Sequence, residues 1–140
     1  MKEKGTIMEI KLSKGAPYGT PANQCNHFEL VAFNNKNETL KEDLANLTAN
    51  YAYSAIEFLS GERKGKNFKC VYTIILDFDE GMTLEEAKET FSLYWGYIAT
   101  TKSHQQSTKG GEINGKEIEK RDRFRVILFL TEPIYLNFRT

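Results

Sequence analysis

Apolar positions along the chain switch between two periods. Residues 5–11, with Ile7-Met8-Glu9-Ile10, form a first short apolar run. Residues 27–33, His27-Phe28-Glu29-Leu30-Val31-Ala32-Phe33, alternate moderately. Residues 71–79 are rich in β-branched and aromatic side chains and end in Asp77-Phe78-Asp79. Residues 97–101 and 123–130 complete a set of five predicted strands, the last one stopped by Thr131-Glu132-Pro133. Between them the spacing lengthens to three or four. Leu40, Leu44, Leu47, Tyr51, Ala55, Phe58 and Leu59 predict a helix over 39–59, opened by a Thr39-x-x-Glu42 capping box. Leu84, Ala87, Phe91, Tyr94, Trp95 and Ile98 predict a second helical face after the box Thr83-x-x-Glu86, and place Trp95 in the core. Residues 13–26, with Gly15, Pro17, Gly19 and Pro21, read as a long loop, as do the polar residues 105–122. The order β-β-α-β-α-β-β predicts a mixed α/β (α+β) fold, a sheet backed by helices, in one domain over 1–140.

Composition narrows the class without naming a chemistry. At 140 residues, 40% hydrophobic and 27% charged, the chain is long enough for a core without disulfides and is not composed like a disordered one. Its formal net charge is zero, so a nucleic-acid site has to be a local patch. No apolar run is long enough to span a bilayer, and 1–5 lead into no signal core. With two cysteines, Cys25 and Cys70, these features point to a cytoplasmic protein with free thiols and no membrane partner.

The chemistry-bearing residues cluster where strands end. Side chains two apart on a strand share a face, so Asp77 and Asp79 project together while Phe78 turns to the core. Paired carboxylates repel unless a positive charge sits between them, and hard oxygen ligands suit Mg²⁺ or Mn²⁺. Alone, an Asp-x-Asp also fits a strand end that caps a following helix. His104 follows the next strand, and taken alone fits an exposed loop as well as a ligand site. Arg123 and Arg125 open the strand after it and share a face by the same alternation. If these strands are neighbours, acids for metal meet His and Arg for phosphate oxygens, the groups that phosphoryl or nucleotidyl transfer requires.

Other readings are open. Arg63, Lys64, Lys66 and Lys69 in a basic turn, and Lys116, Lys120 and Arg121, can hold a nucleic-acid backbone or simply be solvated. Asp122 reads as a solvated loop acid. Cys25 and His27 with Cys70 or His104 could ligate zinc, but paired Cys-x-x-Cys spacing is absent, and Cys70 reads as a packed residue at a strand start. No glycine-rich phosphate loop is present.

Ile74-Ile75-Leu76-Asp77-Phe78-Asp79, then Thr100-Thr101-Lys102-Ser103-His104, then Arg123-Phe124-Arg125-Val126-Ile127-Leu128 resembles the archaeo-eukaryotic primase superfamily, in its plasmid and phage primase-polymerases. The resemblance covers 70–134. It implies a primase-polymerase-like, RRM-like core in which Asp77 and Asp79 bind the catalytic Mg²⁺ or Mn²⁺. Ser103 and His104 would contact the triphosphate, and Arg123 and Arg125 would lie near the nucleotide. Nucleoside triphosphates (NTP or dNTP) and a single-stranded DNA template would be the partners, with a replicative helicase beside them. Lys102 stands where the family has a small residue, and 135–140 lack the acid of its third motif. The chain is thus expected to be an incomplete catalytic core, a fragment or a reduced relative. A non-catalytic nucleotide- or single-stranded-DNA-binding module is the alternative, and a metal-dependent nuclease a third reading.

Overall fold

The computed structural model describes residues 9–34, 36, 38–101 and 122–135. Ser103, His104, Lys120 and Arg121 lie outside these described residues, as do Lys102 and Lys116. Among these residues the fold is mixed α+β, with two antiparallel sheets and two α-helices. It departs from the expected single sheet backed by helices. The chain divides into two compact units, Met1–Ile74 with Phe129–Thr140, and Ile75–Leu128.

The first unit contains β1 (Glu9–Pro17), β2 (Glu29–Asn34), α1 (Leu40–Asn50), β3 (Tyr51–Ser54) and β4 (Ile56–Phe58). β1 is the middle strand of a three-stranded sheet of order β2-β1-β3. Ile10↔Phe33 and Leu12↔Val31 are paired in register on β1 and β2, and Ile10 and Leu12 are buried. β1 runs on to Pro17, through residues expected to form a loop. The apolar pattern fails there because Gly15 is needed for packing: a Cβ at that position would lie 2.7 Å from the Phe28 ring. The register also shifts between Lys14 and Pro17, as a bulge allows.

The predicted helix over 39–59 is half helix and half strand. α1 stops at Asn50, and Tyr51 adopts extended backbone with φ −132° and ψ 152°. Tyr51, Tyr53 and Ser54 are weak helix formers, while aromatic residues suit a sheet. Pairing with β1 (Ser13↔Ser54, Lys14↔Tyr53) and Lys14 Nζ lying 4.1 Å from the Tyr51 ring centre favour the strand. The Thr39 capping box does not form; Thr39 Oγ1 donates instead to Asp43 Oδ2 at 2.9 Å.

The second unit carries α2 (Leu84–Thr90) and β6 (Gly96–Thr100), with the end of β5 (Phe68–Phe78) and the start of β7 (Phe124–Tyr135). Here the Thr83 capping box is present: Glu86 N–H donates to Thr83 Oγ1 and Thr83 N–H to Glu86 Oε1. Ala87 packs with Phe124 and Val126, and Leu76, Phe78, Leu84, Phe91 and Ile98 close around them. The helical face ends sooner than its spacing predicts. After Thr90 the chain turns, leaving Leu93 83% and Tyr94 56% exposed, while Trp95 is half-buried.

Strand order in the second sheet is β4-β5-β7-β6, so the three strands bearing the candidate motifs are neighbours. β7 continues through Pro133, where a stop was expected. β6 pairs β7 only along 124–128, so beyond Leu128 one edge of β7 is free of β6 and proline is tolerated. Among the described residues no helix is long and apolar enough to cross a membrane.

Candidate functional site

β5 delivers Asp77 by strict alternation. Phe78 turns inward and stacks on Phe124, with ring centres 5.3 Å apart, and meets Phe91 at 6.2 Å. Asp77, one residue back, is on the opposite face with its side chain 59% exposed. Arg125, one residue after Phe124, faces it: Arg125 Nε lies 3.8 Å from Asp77 Oδ2. A step back on β5 is matched by a step forward on β7, as antiparallel neighbours require. On the other side of Arg125, β6 places the small Ala99 in register, which leaves the long side chain room to cross to β5.

The two arginines have different surroundings. Arg125 is 35% exposed and reaches an acid, whereas Arg123 is 1% exposed. The Arg123 carbonyl accepts hydrogen bonds from Thr101 N–H at 3.0 Å and Thr101 Oγ1 at 3.2 Å, tying β7's start to the end of β6. Of the pair, Arg125 is the residue a ligand beside Asp77 can meet. Asp79 is half-buried in the bend just past β5, before Gly81 turns the chain at φ +86°. No group of three or more His, Cys, Asp or Glu side chains able to hold a metal occurs among the described residues. Two carboxylates at a strand end, one of them well exposed, still match the hard-oxygen preference of Mg²⁺ or Mn²⁺, which keep several waters of their own.

Asp122 is not the solvated acid its loop position suggests. Its Oδ2 accepts the Leu84 N–H at 2.6 Å, so it satisfies an orphan amide in the first turn of α2. Sequence reading had no signal for this, because the partner is 38 positions away.

The basic turn of the first unit is partly engaged. Lys64 Nζ pairs with Glu62 Oε1 at 2.9 Å, and the Arg63 guanidinium lies 5.8 Å from the Phe28 ring centre. Lys66 sits exposed in a short 3-10 turn over Gly65–Asn67. Cys25 Sγ donates to the carbonyls of Thr20 and Pro21, and Cys70 is buried at the start of β5, as its sequence position suggests. Both are free thiols.

A polar cluster that sequence reading missed lies between β4 and β5. Glu57 is in register with Cys70. Its Oε1 accepts from the Tyr72 hydroxyl at 2.9 Å, and its Oε2 from Lys69 Nζ at 3.2 Å. Burial pushes the Glu57 carboxyl up, but the bonds from Tyr72 and Lys69 outweigh it and hold its pKa below the ordinary carboxylate range. Tyr72 is pushed well above the ordinary phenol range, by burial first and then by its contacts with Cys70 and Glu57. Hydrogen bonding to Glu57 raises Lys69 in turn. Glu57 and Tyr72 in one strand pair could signal such a cluster only once the register is known.

Neither a protein-family model, nor a curated protein, nor a solved structure matches the chain.

Proposed function

We propose that the end of β5 and the start of β7 form a nucleotide-phosphate site of the primase-polymerase kind. Asp77 and Asp79 hold Mg²⁺ or Mn²⁺, and Arg125 contacts phosphate oxygens of a nucleoside triphosphate. When bound, the metal neutralises triphosphate charge and polarises the phosphorus centre. Arg125 supplies planar, charge-assisted donors suited to phosphate. Buried Arg123 contributes a fixed positive charge rather than a ligand contact. The reaction class is nucleotidyl transfer from NTP or dNTP to a primer on single-stranded DNA. One observation carries this reading: an acid and an arginine from the two predicted motifs face each other across neighbouring strands.

A second reading, binding of nucleotide or single-stranded DNA without turnover, is favoured by a different observation. Arg125 already supplies Asp77 with a counter-charge, and no third acid joins them among the described residues. The experiment is primer extension with Mg²⁺ or Mn²⁺, beside Mn²⁺-dependent nucleotide binding, for the wild type and for Asp77→Asn with Asp79→Asn. Extension abolished by the double substitution supports transfer. Binding abolished without any extension supports the second reading, and binding that survives the double substitution rules out both.

A further inference from the structure

Asp77 belongs to β5, but Asp79 lies beyond it. β5 ends at Phe78, and Asp79 opens a bend that runs through Gly81 to Thr83, before α2 begins at Leu84. Strand pairing with β7 holds the β5 end of this bend. Its far end is held where Asp122 Oδ2 accepts the Leu84 N–H at 2.6 Å, a charge-assisted bond. Asp122 stands immediately before Arg123, in the segment that leads into β7 and Arg125.

The backbone that carries Asp122 is itself anchored. Thr101 N–H and Oγ1 both donate to the carbonyl of Arg123, and Phe124 is in register with Thr100 and buried beside Ala87. The Asp122 side chain therefore starts from a fixed strand and reaches the first residue of α2. The helix does not need it in order to begin, because Thr83 and Glu86 form a complete capping box of their own. What the Asp122 bond adds is a tie between the end of the bend and the strand that bears Arg125.

We infer that Asp122 is a positioning residue: it holds the 79–83 bend against the start of β7, so that Asp79 joins Asp77 on one divalent cation beside Arg125. The inference rests on the metal site proposed above and names the group that keeps its second acid in place. Mg²⁺ and Mn²⁺ sites of this kind use few protein ligands, so displacing one of two carboxylates weakens binding sharply. Asp122 acts through the backbone of Leu84 and does not touch the ion. It supports the ligands from behind, as groups outside a coordination sphere do.

Mn²⁺ alone is the probe, its binding read from loss of the free ion's paramagnetic resonance signal, with far-ultraviolet circular dichroism as the folding control. Asp122→Ala removes the acceptor and weakens Mn²⁺ binding about tenfold or more. Asp122→Asn keeps a carbonyl oxygen for the Leu84 N–H and stays within about threefold of the wild type. Leu84→Pro breaks the same bond from the donor side and reproduces the Asp122→Ala loss. Proline suits the first helical position, and Thr83 already has the extended backbone, φ −85° and ψ 160°, that a residue before proline adopts. Asp122→Asn as damaging as Asp122→Ala would make the charge itself the requirement, as in a direct metal ligand, and overturns the inference. So does an affinity indifferent to Asp122→Ala and Leu84→Pro yet abolished by Asp77→Asn with Asp79→Asn; the metal site then stands without this tie. Mn²⁺ binding that is absent, or that survives the double substitution, removes the metal site and the inference with it.

Discussion

At the end of β5 the Asp77 carboxylate lies 3.8 Å from Arg125 Nε, near the outer limit of an ion pair, and both groups reach solvent. A pair of this kind is worth under about 1 kcal/mol. It therefore neutralises Asp77 without locking it, and a divalent cation or a phosphate can displace either partner. Deeper in the same strand Thr73 is 1% exposed, and its hydroxyl has no hydrogen-bond partner among the described residues. Burying an unsatisfied hydroxyl costs about 1–3 kcal/mol, and valine has nearly the same shape and suits a strand. Thr73→Val is expected to raise unfolding free energy by about 1 kcal/mol, read as a higher urea midpoint at unchanged slope. A lower midpoint would mean that the hydroxyl is satisfied after all.

At the scale of elements, β4 and β5 are joined by a titratable lock. The depressed Glu57 pKa means that the folded state favours the carboxylate. Its contribution is present above the unfolded pKa, near the ordinary 4.5, and is lost as pH falls through the lower folded value. Lys69 and Tyr72 have raised values, so their contributions are present below their ordinary values of 10.5 and 10.0. These are lost as the pH climbs through the folded values. Urea unfolding measured against pH is expected to show an acid-side loss that Glu57→Gln removes, leaving a flatter curve below the ordinary carboxylate value of 4.5. An identical acid limb in the variant would assign that loss to other carboxylates.

How much of this was legible depended on whether the cause was local. The alternation that ends in Asp77-Phe78-Asp79 put Phe78 inside and Asp77 outside, and the Thr83 box opened α2 as its residues dictate. The turn at Asn50 was not legible. Tyr51, Ala55, Phe58 and Leu59 fit helical spacing, and pairing with β1 overrode it. Asp122 and Glu57 were missed for the same reason, since each is defined by a partner distant in sequence. Arg123 and Arg125 share a face in sequence, but burial separated their roles.

On the scale of the whole molecule, each unit has its own buried residues. Among the described residues, Ile10, Leu12, Phe28, Leu44, Leu47, Phe58 and Cys70 belong to the first, and Ala87, Ala99, Phe124, Val126 and Ile127 to the second. The candidate Asp77–Arg125 site lies entirely within the second. That unit is one stretch of sequence, Ile75–Leu128, with a segment of the first unit before it and another after it in the chain. β5 and β7 are hydrogen-bonded neighbours. In sequence the stretch is therefore an insertion that begins in β5 and ends in β7, neighbouring strands of one sheet. A chain in which an Asn-Gly turn replaces 75–128 is expected to give a cooperative thermal transition and a sheet-rich spectrum, without Mn²⁺-dependent nucleotide binding. Loss of cooperativity would show that the first unit needs the insertion to fold. Survival would mean that the first unit folds by itself and tolerates loss of the whole insertion.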